Sequence, residues 1–236
     1  MRKRFGLTDG AWSVLLVLVI LIIDQVIKIT VKTNMCIGDS IRVTDWFYID
    51  FVENIGMAYG LTILNKLFLS LFRIVAVIAL IWYIRWELRH DGRTRYVLIL
   101  SMILAGAAGN IFDSLFYGLI FTESTPFTVS HLVAFGDGYA GFLMGKVVDM
   151  FYFPLIVTTW PEWVPLVGGQ EFIFFSPVFN FADASITVGV VLLFIFCRKD
   201  FERISIAFSR KKSSGDVDSK QSSDDNDRKE GKGEKS

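Results

Sequence analysis

Four apolar stretches dominate the 236-residue chain, and each approaches the roughly 20 residues that a helix needs to cross a bilayer. They cover residues 11–31, 67–86, 97–121 and 182–200. A soluble domain of this size cannot bury four such segments, and the composition agrees: 53% of residues are hydrophobic and 22 are Phe. The expected fold class is therefore integral membrane and mainly α, with four transmembrane helices. The formal net charge of zero averages an apolar body with a polar tail, so nothing points to nucleic acid.

Basic residues set the expected orientation. Arg2, Lys3 and Arg4 precede the first span; Arg85, Arg89, Arg93 and Arg95 separate the second from the third; Arg198, Lys199 and Arg203 follow the fourth. With four spans all three clusters share one side, so both termini are expected in the cytoplasm, with 32–66 and 122–181 outside. The first span is too long for a signal peptide, lacks a small-residue cleavage site and runs into Asp24, Gln25 and Lys28, so it reads as retained. Cys36 and Cys197 fall on opposite sides, and no internal disulfide is expected.

Outside the spans, "SIRVTDWFYIDFVEN" carries β-branched and aromatic residues in partial alternation, and the Gly-rich "NIGMAYG" follows. A small β element over about 36–63, resting on the outer leaflet, is expected. Residues 122–146 read as an outer loop broken by glycines, and 155–177, with Trp160, Pro161, Trp163 and Pro165, as an interfacial segment. Residues 1–210 thus form one membrane domain, and 211–236 a disordered, charged cytoplasmic tail.

Five polar residues interrupt the spans: Asp24, Asn110, Asp113, Asn180 and Asp183. At about 1.5 Å per residue, Asp24, Asn110, Asp113 and Asp183 lie about 18, 20, 24 and 21 Å from the inner face, a common level in the outer half of the membrane. Asp149, in "GKVVDMFYFP", is a further acid among apolar neighbours. Each has a plainer role open to it. Asp183 can cap its helix, Asp24 can pair with Lys28 four residues on, and Asn110 and Asp113 can pack beside Gly106 and Gly109. Two carboxylates held close together, however, share one proton and supply a coupled acid and base that can activate water. That is aspartic peptidase chemistry, needing no metal or cofactor. Only His90 and His131 are present, with no His/Cys cluster of metal-ligand spacing. A proton-coupled transporter and a membrane scaffold with polar helix contacts stay open on these grounds, although the acids cluster at one depth instead of tracing a path across.

Five blocks, "DQVIK" at 24–28, "ENIGMAYG" at 53–60, "GAAGNIFD" at 106–113, "VVDMFYFP" at 147–154 and "FNFADASI" at 179–186, together resemble the lipoprotein signal peptidases (signal peptidase II) over roughly residues 11–200. The resemblance implies a catalytic dyad of Asp149 and Asp183. Asn110, Asp113 and Asn180 would support it and orient substrate, while Asp24 and Asn54 would line the site or hold its framework. It further implies an enzyme of the bacterial inner membrane, acting near the outer leaflet. Its substrate would be a prolipoprotein, cleaved before a diacylglyceryl-modified cysteine; its other partners would be membrane lipids and inhibitory cyclic peptides of the globomycin type. The β-cradle would lie on the membrane surface, a loop near 54–66 would close over the substrate, and Val147, Val148 and the neighbouring phenylalanines would face lipid and the substrate's acyl chains. Two departures stand out. Ser114 occupies the place where the family usually has arginine after the GNxxD block, leaving Arg73 as a candidate replacement. The spacing from Asp113 to Asp149 is long, making 122–146 an insertion.

Overall fold

The computed structural model describes residues 3–4, 7–55, 63–90 and 93–197. Outside them lie most of the expected closing loop, the basic residues Arg2, Arg198, Lys199 and Arg203, and the 211–236 tail. A short pairing of β1 (Lys3–Arg4) with β2 (Leu7–Thr8) leads into α1 (Asp9–Asn34). There follow β3 (Ser40–Thr44), β4 (Phe47–Asn54), α2 (Ile63–Arg89) and α3 (Thr94–Phe112). A π-helical turn over Asp113–Tyr117 and the single turn α4 (Gly118–Ile120) complete the third long helical segment. The chain then enters β5 (Val147–Tyr152), β6 (Ile156–Thr159), β7 (Glu171–Phe174) and α5 (Phe181–Phe196).

Three helical segments, Asp9–Asn34, Lys66–Arg89 and Thr94–Ile120, are long and apolar enough to cross a membrane; Phe181–Phe196 is apolar but shorter. Their side-chain pattern is the reverse of a soluble helix. On α1 the buried positions include Ser13, Asp24, Lys28 and Lys32, whereas Val14, Leu18, Ile22 and Val26 are exposed. Exposed Phe68, Phe72, Val75 and Trp82 do the same on α2. Apolar side chains turned outward and charges turned inward suit a surrounding of lipid, where only internal partners can satisfy a polar group.

Helices α1 and α2 each pack on α3. The start of α5 also lies on α3, and small residues let both neighbours approach: a Cβ on Gly106 would meet the Ala182 carbonyl of α5 at 2.3 Å, and one on Gly109 would meet Asp24 Oδ2 of α1 at 2.7 Å.

The β element is a three-stranded antiparallel sheet in the order β3-β4-β5. Its third strand comes from 147–152, outside the stretch expected to form the cradle. In β4–β5, Ile49 faces Phe151 and Val52 faces Asp149; β4 carries one residue more than β5 between these pairs, a bulge that resets which face Asp149 points to. The other edge of β5 is held by Phe179, whose carbonyl accepts from Met150 N and Phe151 N at 3.1 and 2.7 Å. This fastens the start of α5 beside the strand carrying Asp149.

Val148 and Met150 are wholly buried with Val31, Met35, Phe51, Tyr117 and Phe121, and Val147 is nearly so. The expectation that these valines face lipid is therefore corrected: the strand is covered by the ends of α1 and the third helical segment. Strands β6 and β7 form a separate antiparallel ribbon with little cover, pairing Ile156 with Phe174 and Thr159 with Glu171. The 122–146 segment folds back over the end of the third helical segment through Thr122 N to His131 O, Tyr139 N to Phe121 O and Ala140 N to Gly118 O, at 2.9–3.0 Å.

Candidate active site

All seven residues singled out in the sequence meet in one polar network. Helix α5 begins at Phe181, and Asn180 caps it reciprocally with Asp183. Asp183 N donates to Asn180 Oδ1 at 2.9 Å, and Asn180 N donates to Asp183 Oδ2 at 3.4 Å. The capping role open to Asp183 is thus real, and it leaves Oδ1 free to accept from Asn110 Nδ2 at 2.7 Å. Asn180 Nδ2 donates both to Asp149 Oδ1 at 2.6 Å and to Asn110 Oδ1 at 3.1 Å. Asn54, at the end of β4, donates to Asp149 Oδ2 at 3.2 Å. The Asn180 side chain therefore links the Asp149 carboxylate to the backbone of Asp183.

The framework is built from the other acids. Asp24 Oδ1 accepts from Ala182 N at 2.9 Å, so α1 supplies a second cap for α5. Lys28, wholly buried, lies 3.0 Å from Asp24 Oδ2 and 2.7 Å from Asp113 Oδ2, and donates to Asn110 Oδ1 at 2.9 Å. Gln25 Nε2 donates to Asp113 Oδ1 at 2.9 Å, and Tyr117 Oη donates to Gln25 Oε1 at 3.0 Å. The π turn places Asp113 and Tyr117 together on this glutamine. Lys28, Gln25 and Tyr117 were not among the expected site residues. Lys28 was visible only as a partner four residues from Asp24; its contacts to α3 cross between helices and leave no local pattern.

Ser114, standing where arginine was expected, donates to the Asn110 carbonyl at 3.1 Å, and its own carbonyl accepts from Gly145 N at 3.0 Å. Among the described residues Arg73 makes no ion pair or hydrogen bond with the site; the cation that meets Asp113 is Lys28. The candidate replacement is corrected accordingly.

Asp149 is 4% exposed. Burial first, and then the Asp183 charge, pushes its pKa up to about 6, against the hydrogen bonds from Asn54 and Asn180 that favour the ionised form. Asp149 borders a pocket of about 410 Å³ lined by Val52, Glu53, Asn54, Ile55 and Val178. A larger cavity of about 560 Å³ lies between α1, α2 and α3 near Ser13 and Arg85, away from these carboxylates. Among the described residues no group of three or more His, Cys, Asp or Glu could hold a metal ion.

The model of one protein family, described as signal peptidase (SPase) II, matches residues 16–198. The chain belongs to the signal peptidase II family. It is 49% identical over 190 residues to a lipoprotein signal peptidase of Porphyromonas gingivalis, covering 80% of this chain and 84% of that one. It is 34% identical to a lipoprotein signal peptidase of Amoebophilus asiaticus, covering 84% and 82%. A solved structure of a bacterial membrane enzyme, 26% identical, aligns with a TM-score of 0.57 over 85% of this chain and 99% of its own. The chain is therefore a bacterial membrane protease of this family, with several apolar helices and small antiparallel sheets.

Proposed function

We propose that this protein removes signal peptides from diacylglyceryl-modified prolipoproteins, cleaving before the lipidated cysteine, with Asp149 and Asp183 as the catalytic dyad. Two carboxylates, Asp149 buried and Asp183 partly buried, both accept from Asn180 and meet amide donors with no ion-pair partner among the described residues, which supports it. The relatives' shared name, lipoprotein signal peptidase, supports the substrate class.

In this mechanism Asp183 acts as base and Asp149, whose pKa is raised, holds the shared proton. Asp183 takes a proton from water, and the water oxygen attacks the scissile carbonyl carbon. The carbonyl π pair moves onto oxygen, which takes the proton from Asp149. The resulting gem-diol then collapses: one hydroxyl returns its proton to Asp149 as the C=O re-forms, the C–N bond breaks, and the departing cysteine nitrogen takes the proton held by Asp183. Asn54 and Asn180 orient Asp149, and Asn110 orients Asp183. Asp24 and Asp113, paired with Lys28, hold α1, α3 and α5 in register. The reaction uses no metal or cofactor.

The finer architecture belongs to the same reading. Helix α5 is the fourth span of a membrane domain over 1–210. The sheet is a cradle on the outer leaflet, and the β6–β7 ribbon with Trp160 and Trp163 is the interfacial segment. Both termini and the charged tail face the cytoplasm, in the bacterial inner membrane. Membrane lipid flanks the substrate's acyl chains, and cyclic peptides of the globomycin type occupy the site and block it.

The test is cleavage of a diacylglyceryl-modified prolipoprotein by the purified protein, followed as a size shift, with Asp149→Asn and Asp183→Asn alongside. Loss of cleavage in both variants is expected. Normal cleavage by either variant removes that residue from the dyad, and no cleavage by the parent protein overturns the substrate. Full activity at saturating globomycin would count against the site geometry.

A further inference from the structure

The 122–146 insertion has no part in the proposed chemistry, yet its polar side chains converge on one residue of the cradle. The side chain of Glu53, on β4 immediately before Asn54, is almost fully buried. Its Oε1 accepts from Lys32 Nζ on α1 and from Ser124 Oγ at 2.9 Å. Lys32 also donates to Ser124 Oγ at 2.8 Å. Its Oε2 lies 3.2 Å from Lys146 Nζ, which in turn is 3.3 Å from Glu123 Oε1. Lys32 and Lys146 each stand 5.2 Å from the centre of the Tyr139 ring, and the Tyr139 hydroxyl accepts from Lys146 N at 2.6 Å. Ser124, Glu123, Tyr139 and Lys146 all belong to the insertion.

The sheet register shows what this clamp holds. Glu53 pairs with Val148 and Asn54 with Val147, while Val52 faces Asp149. Successive side chains on a strand point to opposite faces. Glu53 is therefore drawn into the core beside Val148, and Asn54 is left on the face of Asp149, to which it donates. With β4 ending at Asn54, the clamp on Glu53 holds the last turn of the pleat.

We infer that the insertion is a buried electrostatic brace: through Lys146, Ser124 and Lys32 it fixes Glu53, and through Glu53 it holds Asn54 on Asp149. Glu53, Lys32 and Lys146 are positioning residues for cleavage. This rests on the dyad proposed above. The charged and titratable groups around Glu53 are Lys32 from α1, Lys66 from α2, and Tyr139 and Lys146 from the insertion; those around Asp149 are Asp183 and Lys28, beside the neutral amide donors Asn54 and Asn180. Asn54's hydrogen bond favours the ionised form of Asp149, so loosening Asn54 raises the pKa of that acid and moves the alkaline limb of the rate profile upward.

The full-length protein is assayed in detergent on a diacylglyceryl-modified prolipoprotein, as the parent, Lys146→Met, Lys146→Arg and Glu53→Gln. For Lys146→Met, kcat is expected to fall about tenfold with KM within about twofold, and the alkaline limb of kcat/KM to move to higher pH. Lys146→Arg restores both. A loss of folded protein alone would lower the yield without moving the limb. Hydrogen exchange of amides 53–55, measured in the same proteins, gives a readout independent of cleavage and is expected to quicken in Lys146→Met. The brace is overturned by unchanged exchange at 53–55, or by Lys146→Met cleaving at the parent's rate with an unmoved limb, whether or not Glu53→Gln folds. Absence of cleavage in the parent sinks the peptidase reading, and the exchange arm then still decides the brace.

Discussion

Two pairs of acids share one polar layer on either side of Asn110, and they are treated in opposite ways. Asp24 and Asp113 are packed around the buried ammonium of Lys28, and their remaining oxygens accept from Gln25 and Ala182 N. Asp149 and Asp183 receive donors from Asn54, Asn110 and Asn180 and from no cation at ion-pair distance among the described residues. One buried ammonium ties the first pair to a fixed geometry, whereas the second pair is held by amide donors. On the proposed mechanism, the same residue type within one polar network is scaffold or reagent according to its partner.

The comparison breaks first at its reactive half. Asp149→Asn or Asp183→Asn should each lower the cleavage rate by about 10³-fold or more, read in single-turnover assays, while the fold persists by circular dichroism. Comparable losses from Asp24→Asn with an intact fold would erase the distinction between the pairs. The scaffold half answers in stability. Lys28→Met leaves two buried carboxylates without their cation and should cost about 3–5 kcal/mol, seen as a lower unfolding temperature in detergent. An unchanged temperature would show that the ion pairs are dispensable.

A third test concerns pH. If Asp149 must be protonated to act, activity is present below its pKa and is lost as pH rises through about 6 in the free enzyme. Asn54→Ala removes a bond favouring the ionised form, so that limb should move up, with a rate loss of about tenfold. A limb that moves down would assign the proton elsewhere. Ser114→Ala should be the mildest, within about 1 kcal/mol in stability, because it removes a donor and leaves no charge unpaired. A large loss would mean that Ser114 does more than close the turn.

Much of this layer was legible from helix geometry. A rise per residue is enough to align Asp24, Asn110, Asp113 and Asp183, because the segments carrying them are regular over most of that distance. Asp149 came from its neighbours, since a strand gives no depth count. The misplaced valines show the limit: an apolar run beside an acid fits lipid or protein equally, and only the third strand, joined to β4 across nearly a hundred residues, puts Val148 inside. The roles of Lys28 and of the insertion stayed hidden for a related reason. Their contacts to Asn110, Asp113 and Glu53 cross between elements far apart in the chain.

The bond from Ala182 N to Asp24 has a mechanical side. It ties the start of one helix to the body of another at the level of the site, so the two are levelled from that point like posts cut to a common mark. Residues added or lost beyond the mark change the far end of each helix but leave the carboxylates where they are. A chain built this way can be fitted to a thicker or thinner bilayer by trimming the far ends, with the polar layer untouched.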